Sequence, residues 1–424
     1  MSKMLNKQKI AVIIPDGMAD YKIKELDNKT PMEYAKKPCM NYLTQNGICG
    51  LVKNVPDGMV PESDTANLAI LGYDPKIYSK GRSPLEAVSM GLSMGKYDTA
   101  FRCNLVTLTE IENFYGDKII LDHSSDEITT KEADILVKAL DKHLGDSKIR
   151  FHTGVSYRHC ILWENCPGDY DFMRPHDILN KHIKEYLPSG EVGGHYLELM
   201  KKSYDILNNH PINIKRRENG KKPANSIWLW SPGAKPDLPD FKSKYGLDGS
   251  VIAAVDLIKG IGICAGMNIV KVDGATGNFH TNYKNKGLAA ISEFENGRDF
   301  VFVHVEAPDE CGHRSEIENK VRSIELIDEY VIKPVFEYLN SKFEESKFEE
   351  FKILVLPDHP TPISVRTHTS DPVPFLIYKR SSDTQSNIFT KSDKFDNFTE
   401  ENAARNSDIF IENGYNLLDF VIKQ

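Results

Sequence analysis

Three aspartates stand where apolar runs stop, and two of the three bring histidines with them. Lys9–Pro15 (KIAVIIP) runs into Asp16-Gly17, and Asp299–Glu306 (DFVFVHVE) runs through Ala307-Pro308 into Asp309. Lys352–Pro357 (KILVLP) runs into Asp358-His359; His313 follows Asp309, and His368 follows His359. One aspartate after a strand is ordinary turn chemistry, and one histidine is more often a hydrogen-bonded core residue. Three of each form a donor set suited to Mn²⁺, Zn²⁺, Co²⁺ or Fe²⁺, and with less nitrogen preference to Mg²⁺. No thiolate set accompanies them, so a structural zinc site is not supported. Pro308 and Gly312 favour a loop over a helix face for Asp309–His313.

A hydroxyl completes the set. Pro61–Gly72 (PESDTANLAILG) places Ser63 just before an apolar helical run. A helix amino terminus presents free N–H groups and favours a phosphate or alkoxide, although an N-cap is the plainer role for such a serine. There is no G-x-S-x-G elbow and no G-x-x-x-x-G-K-[ST] loop, which argues against a metal-free esterase triad and a P-loop kinase.

Convergence of these residues requires a sheet. The three runs above and Pro374–Lys379 read as buried strands. Helical periodicity marks Pro31–Gln45, Ser250–Lys259, Tyr283–Glu295 and Glu316–Asn340. The alternation predicts an α/β architecture with a mostly parallel sheet, whose strand carboxyl ends share one edge. Residues 80–225 carry their own strands (Arg102–Leu108, Ile149–Thr153, His159–Glu164) and helices (Thr130–His143, Tyr196–Asn209). They are expected to form a smaller α+β domain inserted into a catalytic domain made of residues 1–79 and 226–424. The twice-repeated SKFEE of Ser341–Glu350 reads as a solvated helix extension or loop, and the polar stretch Ser381–Glu400 as a surface loop.

Composition limits the partners. The 424 residues are 40% hydrophobic and 27% charged with a net charge of −8, which disfavours nucleic acid and anionic membranes as partners. No apolar run is long enough to span a bilayer, and the polar amino terminus does not read as a signal peptide. Seven scattered cysteines without a C-x-x-C pair read as reduced thiols, giving a cytoplasmic expectation. Cys311, inside the metal-ligand segment, reads as filler. Monomer and homo-oligomer are both compatible with these features.

Taken in order, PDG at Asp16, ESDTAN at Ser63, APDECGH at Asp309, LPDHPT at Asp358 and THTSDPVPF at His368 resemble the alkaline phosphatase superfamily. Within it, Lys221–Gly233, Asp256–Gly262 and Asp273–Gly277 are similar to the archaeal-type branch of cofactor-independent phosphoglycerate mutases. The resemblance implies an alkaline-phosphatase-like three-layer domain and two divalent ions, Mn²⁺ foremost with Mg²⁺, Zn²⁺ or Co²⁺ as alternatives. It implies no 2,3-bisphosphoglycerate. One ion would be held by Asp309, His313 and His368, the other by Asp16, Asp358, His359 and the oxygen of Ser63, the residue that becomes phosphoserine. His123, Arg158, Arg216 and Lys222 of the inserted segment, with Lys259, would grip a phosphoglycerate. The inserted segment would act as a lid that excludes water. The implied reaction interconverts 3-phosphoglycerate and 2-phosphoglycerate. A phosphohydrolase, a phosphonate hydrolase or another phosphomutase would share the same metal ligands. Two divalent cations against three aspartates leave one positive charge around a neutral Ser63, which favours loss of its proton.

Overall fold

A computed structural model describes residues 8–383, 396–406 and 409–424. The chain divides into two compact units, residues 1–79 with 237–424, and residues 80–236.

The first unit is built on an eight-stranded sheet. Its strands run in the order Phe410–Ile411, Ile48–Val52, Val373–Ser381, Glu350–Val355, Gln8–Pro15, Phe300–Val305, Gly249–Ile252 and Asn268–Val270. Only Val373–Ser381 runs against its neighbours among the described strands. Gln8–Pro15 lies between Phe300–Val305 and Glu350–Val355 and is parallel to both. Ile10 to Ile14 and Phe300 to Val303 are fully or almost fully buried, as expected of strands covered on both faces. The register pairs Pro15 with Val305 and Ile13 with Val355, so three strands end together. That shared edge is what brings the three aspartates into one place.

Several elements depart from the sequence reading. Pro31–Gln45 is two short helices, Pro31–Tyr34 and Pro38–Gln45, each opened by a proline suited to a first helical turn. Ser250–Lys259 is a strand, Gly249–Ile252, followed by a helix, Asp256–Cys264. Ala307–Arg314 is a helix and not a loop. Pro308 sits in its first turn, where no N–H is needed, and Ser315 ends it in left-handed backbone. Of the SKFEE repeat, Ser341–Glu344 extends a helix and Glu350 already begins a strand. Most of Ser381–Glu400 lies outside the described residues.

The second unit carries a five-stranded sheet whose long strand, Asp98–Leu108, pairs antiparallel with Ile120–Asp122, Arg158–Glu164 and Ser226–Ala234. Ser226–Ala234 therefore belongs to this unit, and the expected boundary at 225 moves to 236. Phe101, Trp163, Phe172 and Tyr196 cluster in its core, with Phe101–Phe172, Trp163–Tyr196 and Phe172–Tyr196 edge to face. Among the described residues no helix is long and apolar enough to cross a membrane.

Candidate metal and phosphoryl-transfer site

Asp16 leaves its strand and is 1% exposed. Gly17 turns the chain with φ +63°, and a Cβ there would lie 2.7 Å from Asp309 Cα. That close approach demands glycine. The Gly17 N–H donates to Asp358 Oδ1 at 3.2 Å, joining two of the three strand ends.

Asp309 and His313 share one face of the Ala307–Arg314 helix, with His313 Nε2 3.3 Å from Asp309 Oδ2. His368 Nε2 is 3.3 Å from Asp309 Oδ1 and 2.9 Å from His313 Nε2. The Nδ1 atoms of the two rings face the carbonyls of Arg366 (3.0 Å) and Pro61 (2.7 Å). Carbonyls only accept, so each Nδ1 donates, and each Nε2 is left to face Asp309, as a donor when its ring is protonated and as a lone pair when a cation takes the proton's place. Two imidazole nitrogens and a carboxylate facing one another call for a shared positive charge. This is the donor set a divalent cation fits, with the backbone fixing the tautomers.

His359 completes a second group. Its Nε2 is 3.3 Å from Ser63 Oγ, 3.5 Å from Asp358 Oδ2 and 3.7 Å from Asp16 Oδ1. Its Nδ1 faces Thr361 Oγ1, which donates to Asp309. Ligand atoms of Asp16, Asp358 and His359 lie within 4.8 Å of one another, as do those of Asp309, His359 and His368. Ser63 opens the Ser63–Ile70 helix, so its hydroxyl lies at a positive helix end. All seven sequence-predicted ligands meet in one region of the first unit.

The electrostatics fit a cation pair. Burial, then repulsion from Asp358 and Asp309, pushes the Asp16 carboxyl well above its usual range, and Asp16 Oδ1 is buried without a hydrogen-bond partner among the described residues. Burial also opposes ionisation of Asp309, but hydrogen bonds from His313 and His368 outweigh it and hold that carboxyl low. The Asp309 hydrogen bond lifts His313 to about 9 against its burial. Buried carboxylates that repel one another in this way are stabilised by bound cations.

Five contributors were missed. Glu306 forms a third group with Asp16 and Asp309 within the same 4.8 Å limit. Lys286 is fully buried and donates to the His304 carbonyl at 2.8 Å. Burial lowers its ammonium to about 8, while Glu306 and Asp16 pull the other way. The charge count of three aspartates therefore gains one carboxylate and one ammonium, which offset. Buried His304 places Nε2 3.3 Å from Asp16 Oδ2, and burial lowers it to about 4. Asn67 and Thr361 hydrogen-bond Asp358 and Asp309. Four of these are buried and Glu306 is half-buried, and tertiary contacts alone reveal them. Cys311 is buried, its thiol pushed up to about 12 by burial, as filler should be.

The expected substrate-gripping residues separate into two kinds. In the second unit, His123 packs edge-on against Tyr157 at 5.5 Å, and exposed Arg158 lies over the same ring at 4.7 Å. Arg216 is only 3% exposed, and its guanidinium is occupied by Glu132, the Ser125 carbonyl and the Lys222 carbonyl. Lys222 is paired with Asp122 and Asp126. In the first unit, Lys259 pairs with Asp256 at 3.1 Å.

A family model described as 2,3-bisphosphoglycerate-independent phosphoglycerate mutase matches residues 44–213. A protein of that name from Methanosarcina barkeri is 46% identical over 400 residues, covering 94% of this chain and 96% of its own. A probable one from Geobacter sulfurreducens is 42% identical, covering 98% of this chain and 99% of its own. Among solved structures, a Pyrococcus horikoshii protein is similar with a TM-score of 0.79 at 30% identity, covering 98% of this chain and 97% of its own. A cofactor-independent phosphoglycerate mutase from Thermoplasma acidophilum is similar with a TM-score of 0.66 at 26% identity, covering 98% and 99%.

Proposed function

Since the chain belongs to the 2,3-bisphosphoglycerate-independent phosphoglycerate mutases, we propose that it moves the phosphoryl group by way of a phosphoserine at Ser63 within a two-metal site. The observation that carries this reading is the approach of Ser63 Oγ to His359 Nε2, inside a cluster of three aspartates and three histidines. Asp309, His313 and His368 would hold one divalent ion, and Asp16, Asp358, His359 and Ser63 the other. When bound, such ions supply Lewis acidity that lowers the pKa of a hydroxyl and offsets charge on a transferring phosphoryl group. Mn²⁺ suits the mixed nitrogen and oxygen donors.

Ser63 Oγ loses its proton and attacks phosphorus in line; the bond from phosphorus to the glycerate oxygen breaks, and that oxygen gains a proton. The other glycerate hydroxyl then attacks the phosphoserine, restoring Ser63. Hydrolysis competes at the phosphoserine, so water must be kept out. We assign that role, with His123 and Arg158 as substrate contacts, to residues 80–236. A chain lacking residues 80–236 that still isomerises without releasing phosphate would overturn this assignment.

The deciding experiment gives metal-reconstituted enzyme 3-phosphoglycerate in the absence of 2,3-bisphosphoglycerate. Formation of 2-phosphoglycerate together with a phosphorylated Ser63 supports the reading. Release of inorganic phosphate without isomer would favour a hydrolase at the same site.

A further inference from the structure

The turn that presents His123 is backbone that L-residues avoid. Ser125, Asp126 and Glu127 follow one another with φ of 51°, 54° and 48°. Three successive left-handed residues without a glycine persist only where the surroundings over-determine them. Here the surroundings do. Asp122 Oδ1 accepts from the Ser124 N–H and hydroxyl, both at 2.7 Å, and Oδ2 accepts from the Asp126 N–H at 3.1 Å.

Further restraints come from two of the basic residues that the sequence suggested as substrate contacts, beside the Ser125 hydroxyl's bond to the Leu105 carbonyl. Lys222 Nζ donates to Asp122 Oδ2 at 2.9 Å and lies 3.5 Å from Asp126 Oδ1, while its N–H donates to Asp126 Oδ2 at 2.7 Å. Arg216 donates to the Ser125 carbonyl, to the Lys222 carbonyl at 2.9 Å and to Glu132 at 3.0 Å. Among the described residues, every side-chain partner of these two cations belongs to the turn, to the helix after it, or to the other cation's own backbone. Asn104 fixes the His123 carbonyl at 3.1 Å. The His123 ring then stands edge-on to Tyr157 at 5.5 Å and to His176 at 6.1 Å, with Nδ1 buried and without a hydrogen-bond partner among the described residues.

We propose that Arg216 and Lys222 are positioning residues that aim His123 at phosphoglycerate through the Asp122–Glu127 turn, without touching the substrate themselves. The proposal rests on the reading of His123 as a substrate contact. It explains why two cations are spent on carboxylates and carbonyls of one short turn, and why the strain of that turn is retained. Asp122 is the hub: burial disfavours its charge, but the Lys222 ammonium and the Ser124 and Asp126 donors hold its carboxyl well below the usual range.

Lys222 is the residue to change, because its side chain is about half exposed and its loss leaves the core intact. Lys222→Met is expected to lower kcat/KM for 3-phosphoglycerate about tenfold, mainly through KM. Lys222→Arg, which can still bridge both carboxylates, restores it to within about threefold. In a His123→Ala background Lys222→Met adds nothing further, and in the otherwise native chain it shifts the His123 ring resonances. Multiplying effects of the two substitutions would mean that Lys222 grips the substrate directly, and the proposal fails. An unmoved His123 resonance in Lys222→Met overturns it as well. If His123→Ala leaves kcat/KM unchanged while Lys222→Met still moves that resonance, the substrate reading of His123 falls and the positioning of its ring stands.

Discussion

Asn67 donates to Asp358 Oδ2 at 2.8 Å, tying the helix that begins at Ser63 to the strand end opposite it in the first unit. The same amide donates to the Ser63 carbonyl at 2.9 Å. One side chain therefore sets the separation between the hydroxyl and a carboxylate. Outer hydrogen bonds of this kind typically account for about 10–100-fold in metal affinity. Asn67→Leu is expected to weaken Mn²⁺ binding to the metal-stripped protein by about tenfold, read by calorimetry. Unchanged affinity would show that Asp358 keeps its orientation without Asn67.

Ser63→Ala removes one half-buried hydroxyl from the start of a helix whose other residues are buried. Thermal stability should move little, within about 1 kcal/mol. Isomerase turnover should fall by more than about a thousandfold, because the loss removes the atom that carries the phosphoryl group. Intact-mass measurement after mixing with 3-phosphoglycerate should find a phosphorylated native chain and an unmodified variant. A phosphorylated variant would place the nucleophile elsewhere.

The parts of this site that could be read from sequence are those with a local signature. Asp16, Asp309 and Asp358 each follow a run of apolar residues, and parallel pairing of those runs forces their ends together. Ser63 preceded a helical pattern. His304 and Lys286 give no such signal, since their importance comes from burial and from neighbours far along the chain, and half-buried Glu306 shows its role only beside Asp16. The helix at Ala307 is hidden in the sequence because proline breaks a helix in its interior and favours one in its first turn, where Pro308 sits. Arg216 and Lys222 carry the right charge for a phosphoglycerate, and their pairing with Glu132, Asp122 and Asp126 shows only in tertiary contacts.

Strain in the His123 turn is itself measurable. Glu127 has φ 48° and an exposed side chain without a partner among the described residues, so glycine there relieves backbone cost without removing such a contact. Left-handed backbone costs an ordinary residue roughly 1–2 kcal/mol, part of which glycine returns as entropy of the unfolded chain. Glu127→Gly should raise the unfolding midpoint of the second unit by a few degrees. All three tryptophans, Trp163, Trp228 and Trp230, lie in that unit, so intrinsic fluorescence reports it selectively. A lowered midpoint would mean that the turn is not strained.

The same fluorescence tests a buried imidazole. His159 is 5% exposed; its Nδ1 accepts from the Gly154 N–H at 3.1 Å, and its Nε2 is buried without a partner. Burial lowers it from 6.5 to about 4, with Asp134 opposing weakly. The unfolded chain thus takes up a proton below pH 6.5 that the folded chain refuses until about pH 4. Unfolding gains ground as the pH falls through that window, and stability present above 6.5 is lost towards 4, by roughly 3 kcal/mol at most. Half-buried His152, also lowered by burial, adds to the slope with the same sign. His159→Asn keeps an acceptor near the position of Nδ1 but cannot titrate. The variant should start less stable at pH 7.5, because the smaller side chain leaves space in the core, and the gap to the native chain should narrow by roughly 2 kcal/mol by pH 4.5. Parallel stability profiles for the two proteins would show that His159 takes up its proton in the folded state as easily as in the unfolded one.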